Sequence, residues 1–88
     1  MIDLILYGRP GCHLCDDMRA GLQELQSELA FRVIELDIDR DPELARRYGS
    51  LVPVLELDGR EVCHYFLDVQ ALRDRLSAAK ATRTGTPV

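Results

Sequence analysis

Cys12-His13-Leu14-Cys15 is the segment of this chain whose residue types and spacing can do chemistry. Two thiols separated by two residues either close a reversible disulfide or help to hold a soft metal ion. Gly8-Arg9-Pro10-Gly11 runs directly into them, four loop-prone residues that end a strand. If a helix starts at Cys12, that sulfur faces unpaired backbone N–H groups and the positive end of the helix dipole. Both stabilise a thiolate over a thiol, so Cys12 is the expected nucleophile. Cys15, on the inward stripe of the same helix, is placed to resolve a mixed disulfide on Cys12 while remaining shielded from outside substrates. His13 would favour the neighbouring anion if protonated, and is otherwise an exposed residue at a helix start. Asp16 and Asp17 read as first-turn residues that complement the dipole.

The elements that must hold these thiols follow from periodicity. Residues 2–7 are apolar on both faces, as a buried parallel strand requires. Met18, Leu22, Leu25 and Leu29 recur at helical spacing and paint one stripe of a helix beginning near Cys12. Phe31-Arg32-Val33-Ile34-Glu35-Leu36 then supplies a second strand, which completes a right-handed βαβ unit. Asp41 before Pro42 predicts an N-cap followed by Pro at the first helical position, opening a short helix through Leu44 and Tyr48 that Gly49 closes. Val54–Leu57 and Arg60–Tyr65 flank Asp58-Gly59, a dipeptide that tolerates the positive φ of a tight hairpin turn. Asp68 caps a last helix carrying Val69, Leu72, Leu76 and Ala79 on one face. The order is βαβαββα, with one domain over residues 1–79 and a flexible tail over 80–88.

With 88 residues there is room for one core. Eleven basic against fifteen acidic residues leave a formal net charge of −4, which lacks the positive field that nucleic acids or anionic lipids attract. The N-terminal segment is too short and too acidic for a signal peptide, and no apolar run reaches the roughly 20 residues of a membrane span. A monomer in the cytoplasm is expected. Three cysteines, an odd number, fit poorly with a secreted disulfide framework and well with reactive thiols.

Tyr7-Gly8-Arg9-Pro10-Gly11-Cys12-His13-Leu14-Cys15 resembles the active-site segment of glutaredoxins within the thioredoxin superfamily, and is most similar to small bacterial proteins with a Cys-His-Leu-Cys-Asp active site. Leu51-Val52-Pro53 is similar to the superfamily's Thr-Val-Pro segment, whose proline is cis and packs against the two cysteines. The resemblance implies an α/β thioredoxin-like fold, a four-stranded mixed sheet with three helices. It also implies dithiol–disulfide exchange at Cys12 and Cys15, with substrate met by Arg9, His13, Val52 and Pro53. A disulfide-containing protein or glutathione would be the partner, with glutathione a possible co-substrate and no organic cofactor or metal required. Glutathione-binding members usually carry Gly-Gly where this chain has Cys63-His64, and side chains there would narrow the groove.

Two other classes compete. A zinc or iron–sulfur module could use Cys12, Cys15, Cys63 and His64, although neighbours in a strand point to opposite faces and do not readily share one ion. A thioredoxin-like domain that binds a partner without turnover would have no need of two thiols at redox spacing. Cys63 reads first as a small buried hydrophobe and only second as a third redox thiol. Asp37, Asp39 and Asp41 suggest a calcium loop, but Pro42 stands where the sharp turn needs Gly, so they read as a solvated loop and a cap.

Overall fold

In the computed structural model of the chain, residues 1–84 are described. The strands are β1 (Ile2–Gly8), β2 (Phe31–Asp37), β3 (Val54–Leu57) and β4 (Arg60–His64). The helices are α1 (His13–Leu25), α2 (Pro42–Tyr48) and α3 (Val69–Thr84), and a 3₁₀ turn at Ile38–Arg40 links β2 to α2. The sheet order is β2-β1-β3-β4. β1 and β2 run parallel from Ile2 opposite Phe31 to Gly8 opposite Asp37. β3 is antiparallel to both β1 and β4. This is the expected α/β thioredoxin-like architecture.

Alternation along β1 sorts the core onto two faces. Ile2, Leu4 and Leu6 meet Met18 and Leu22 of α1 and Leu72 and Leu76 of α3 on one side. Tyr7, on the other side, joins Ile38, Tyr48 and Val54 under α2. α2 is short, and the edge strand shows it: Ile34 and Leu36 lie on that second face and remain partly exposed.

Local signals explain the ends of the elements. The Asp41 carboxylate accepts the Glu43 amide at 2.9 Å with Pro42 in the first turn of α2. Asp68 accepts the Ala71 amide at 3.0 Å, capping α3. The hairpin turn has Asp58 and Gly59 at φ 53° and 77°. A register shift between Leu55 and Glu56 makes a bulge in the β3–β4 ladder and sets Cys63 opposite Leu55. Arg75 of α3 ties down the hairpin by donating to the Leu57, Arg60 and Glu61 carbonyls.

Two boundaries differ from the periodicity. α1 ends at Leu25, and Leu29 reaches the core from a following turn in which the Ser27 hydroxyl bonds the Glu24 carbonyl at 2.8 Å. α3 continues past Lys80 to Thr84, beyond the point where the sequence places a flexible tail, because Ala78, Ala79 and Ala81 favour helix whether or not they are buried. The rest of that tail, residues 85–88, lies outside the described residues.

Candidate active site

Three loops gather at one end of the sheet. β1 ends at Gly8 and leads to Cys12; Val54 pairs with Tyr7, so Pro53 stands just beyond the same end; His64 pairs with Val54, so Tyr65 does too. Cys12 is the N-cap of α1, with extended backbone (φ −94°, ψ 111°), and its sulfur accepts the Cys15 amide at 3.1 Å. The Cys12 sulfur thus takes up one of the N–H groups that a helix start leaves unpaired. Cys15 is 1% exposed, and Cys12 and Cys15 are joined as a disulfide with their Cα atoms 5.2 Å apart. A half-buried sulfur at the helix start backed by a buried one can do sequential disulfide exchange.

Gly8 makes that approach possible. A Cβ at this position would lie 3.1 Å from the Cys15 sulfur, tighter than ordinary contact. Gly8→Ala is expected to displace the inner sulfur and slow closure of the Cys12–Cys15 disulfide by up to about tenfold, since small misplacements of reacting atoms carry large rate costs. Acid-quenched alkylation of a glutathione mixed disulfide measures closure, and an unchanged rate would mean the sulfur yields freely.

The other sequence-derived site residues fall around this pair. His13 is exposed at the start of α1. Arg9 does not project freely from its loop: its guanidinium bridges the Asp39 carboxylate at 3.1 Å and the Gly49 carbonyl at 3.4 Å, and its Nε is buried without a partner. It also lines a groove of about 310 Å³ with Gly8, Pro10, Cys15, Asp16 and Arg19. The Val52–Pro53 peptide bond is cis. The Val52 amide donates to the Tyr48 carbonyl at 3.1 Å, so within this loop it is already engaged.

Cys63 is a free thiol buried in the core among residues of α1 and α3. Burial pushes its thiol up, opposed by a hydrogen bond from the Asp68 backbone. His64, its neighbour, is exposed with Nδ1 2.6 Å from Glu61. Among the described residues no group of three or more His, Cys, Asp or Glu side chains is gathered as metal ligands. The raised Cys63 pKa has a definite linkage sign. An unfolded chain ionises this thiol near about 8.5 while the folded one holds its proton longer, so its contribution is complete below that pH and declines above it. In reduced protein at pH 8, iodoacetamide is expected to label Cys12 and spare Cys63 until urea unfolds the chain; peptide mapping reads this, and ready labelling of native Cys63 would contradict its burial.

One cluster was not foreseen. Glu56 is 8% exposed on β3, with its carboxylate held by the hydroxyls of Tyr7 and Tyr48 at 2.9 and 2.7 Å. Burial, then the Glu56 hydrogen bond, raises both phenols, which keeps them protonated donors. The one available signal was a charged residue inside the otherwise apolar Val54-Leu55-Glu56-Leu57.

Comparison with known proteins agrees with this geometry. Residues 3–77 match the family model described as glutaredoxin-like domain (DUF836). An uncharacterized protein of Mycobacterium tuberculosis is 36% identical over 87 residues, covering 93% of this chain and 88% of that protein. Protein Ne2328 from Nitrosomonas europaea, solved in solution, is 41% identical with a TM-score of 0.69, covering 84% of this chain and 89% of the other. A mutant thioredoxin from Halobacterium salinarum is 27% identical with a TM-score of 0.59, covering 88% and 73%.

Proposed function

This chain belongs to the glutaredoxin-like domain family (DUF836), and from that premise we propose that it is a small dithiol–disulfide oxidoreductase working through Cys12 and Cys15. The observation that carries the reading is the Cys12 sulfur at the N-cap of α1, in disulfide contact with the buried Cys15.

In the reducing direction, the Cys12 thiolate attacks one sulfur of a substrate disulfide. A Cys12–substrate disulfide forms and the other substrate sulfur leaves as a thiolate, which takes up a proton. Cys15 then loses its proton and attacks the Cys12 sulfur, closing Cys12–Cys15 and releasing the second substrate thiol. Two electrons pass from the dithiol to the substrate, and glutathione or a dithiol reductase returns them. The helix start stabilises Cys12 as the attacking thiolate of the first step and, in the reverse direction, as the leaving group when a substrate thiolate attacks the substrate sulfur of the mixed disulfide. Neither step needs an organic cofactor or a metal.

Residues 1–79 form the working domain of this reading, a monomer acting in the reducing cytoplasm on disulfide-containing proteins or glutathione. An incoming backbone would pair with the Val52 carbonyl beside Pro53, because the Val52 amide is already taken by Tyr48. Arg9, fixed by Asp39, borders the substrate path more than it grips a carboxylate, and His13 flanks Cys12 from the solvent side. Proteins are favoured over glutathione by the apolar surface next to the first turns of α1, where a cleft of about 270 Å³ runs between Leu14 and the exposed Tyr65, Phe66 and Val69. No helix among the described residues is long and apolar enough to cross a membrane.

The test is to equilibrate the purified chain across a series of glutathione redox buffers, trap free thiols at each point and map them by mass. A reversible Cys12–Cys15 disulfide, or a glutathione adduct on Cys12, is expected. Thiols that stay reduced throughout, or that retain a metal, would end the redox reading.

A further inference from the structure

Exchange chemistry leaves Glu56 without a part, yet it is the buried charged side chain of the described fold. Both carboxylate oxygens are satisfied: Oε1 accepts the Tyr7 hydroxyl at 2.9 Å and Oε2 the Tyr48 hydroxyl at 2.7 Å. The two rings stack with centroids 4.2 Å apart. A well-packed apolar side chain commonly stabilises a core as well as such a buried ion does, so stability alone does not account for the carboxylate.

What Glu56 joins is more telling. Tyr7 lies at the end of β1, immediately before the loop that carries Cys12. Tyr48 ends α2, and its carbonyl accepts the amides of Leu51 at 2.8 Å and Val52 at 3.1 Å. Two further contacts hold the same loop: Arg9 donates to the Gly49 carbonyl, and the Tyr65 hydroxyl donates to the Ser50 carbonyl at 2.8 Å. Tyr65 does so from a left-handed backbone (φ 64°), and its amide donates to the Pro53 carbonyl at 2.9 Å. Side chains from β1, the Cys12 loop, β3 and the β4 exit therefore converge on residues 48–53; Arg9 ties the Cys12 loop to Gly49, and Glu56 joins Tyr7 at the root of that loop to Tyr48 from beneath.

We infer that Glu56 is a positioning residue: through Tyr7 and Tyr48 it fixes the Val52–Pro53 segment relative to the Cys12 loop, so that a protein disulfide lying along that segment meets the Cys12 sulfur. The role in exchange rests on the oxidoreductase reading above; the holding of the loop does not. A carboxylate suits the task because its two oxygens accept two hydroxyl donors at once.

Three variants test it: Tyr48→Phe removes one hydroxyl, Glu56→Leu removes both contacts and keeps the core apolar, and Glu56→Gln keeps both, since its oxygen can accept from Tyr7 and its amide can donate to the Tyr48 oxygen. Native-state hydrogen exchange is expected to quicken about tenfold at the Leu51 and Val52 amides in Tyr48→Phe and Glu56→Leu, the loss of one hydrogen bond's worth of protection, while Leu4 and Leu55 hold. KM for insulin disulfides is expected to rise about tenfold in the same two variants with kcat unchanged. Reaction with the small disulfide 5,5′-dithiobis(2-nitrobenzoate) should stay at the wild-type rate, and Glu56→Gln should behave as wild type in every assay. Unaltered exchange at Leu51 and Val52, protection lost equally across the sheet, or kcat falling in parallel for both disulfides would overturn the assignment. Failure of the wild-type chain to reduce either disulfide would instead remove the oxidoreductase reading and with it the substrate half of the proposal, with the exchange measurement still deciding whether Glu56 holds the loop.

Discussion

Cys12→Ser is expected to abolish disulfide exchange, with a loss on the order of a thousandfold or more, because a serine hydroxyl is scarcely ionised at neutral pH and forms no disulfide. The substitution is unusually clean at this position. Cys12 is the N-cap of α1, where serine is among the preferred residues, and its side-chain oxygen can accept the Cys15 amide that the sulfur accepts now. The helix start should therefore survive. Compared with the reduced wild type, stability should change little; compared with the oxidised form, about 2 kcal/mol is lost with so short a disulfide loop. Cys15→Ser separates the two steps. It leaves the attacking sulfur intact and removes the resolving one, so a substrate or glutathione adduct should accumulate on Cys12 and be visible by intact mass. A domain that merely binds a partner would keep its affinity in Cys12→Ser and trap nothing in Cys15→Ser. Full exchange in Cys12→Ser would rule out the assigned nucleophile.

Most of what positions Cys12 was legible because it is local. The glycine and proline that end β1, the cysteines at helical spacing, the Asp41-Pro42 cap and the Asp58-Gly59 turn each act within a few residues, and the structure contains all of them. The family resemblance then supplied what local pattern does not, the place of Pro53 at the same sheet end as Cys12. Contacts between distant residues stayed hidden. Arg9 reads as a residue that meets substrate, and only the fold shows Asp39 and Gly49 against its guanidinium. Glu56 is a lone charged residue among the apolar residues of its strand, and its burial is hidden in the sequence because it comes from β3 being covered on both faces. Tyr65 carries no sign of its left-handed backbone, since that conformation is held by bonds to Ser50 and Pro53 and not by its own type. The β4 bulge is invisible for the same reason, whereas the placement of Cys63 in the core and its neighbour His64 in solvent follows from strand alternation.

Leu22→Ala should be among the most damaging single changes away from the thiols, and it asks how far the site depends on the core. Leu22 is 1% exposed on the stripe that α1 presents to the sheet, together with Cys15 and Met18. Truncating such a leucine costs about 2–5 kcal/mol, transfer plus cavity. For a domain of this size each kcal/mol lowers Tm by roughly 4–8 °C, so a fall on the order of 10–40 °C is expected. Against a total of about 5–15 kcal/mol the chain stays mostly folded at 25 °C. The consequence for exchange is then small, because the Cys12 sulfur is held by the Cys15 amide and the Cys15 sulfur by its seat against Gly8, both in the first turn of α1 and on the strand end beside it. Urea unfolding should show a lower midpoint with an unchanged slope, and the exchange rate per folded molecule should match wild type. Gln23→Ala, on the exposed side of the same helix, should stay within about 0.5 kcal/mol. A Leu22→Ala cost below about 1 kcal/mol would mean that α1 does not dock through this stripe. A loss of exchange in the folded Leu22→Ala protein would mean that the thiols take their geometry from the whole length of α1 and not from its first turn.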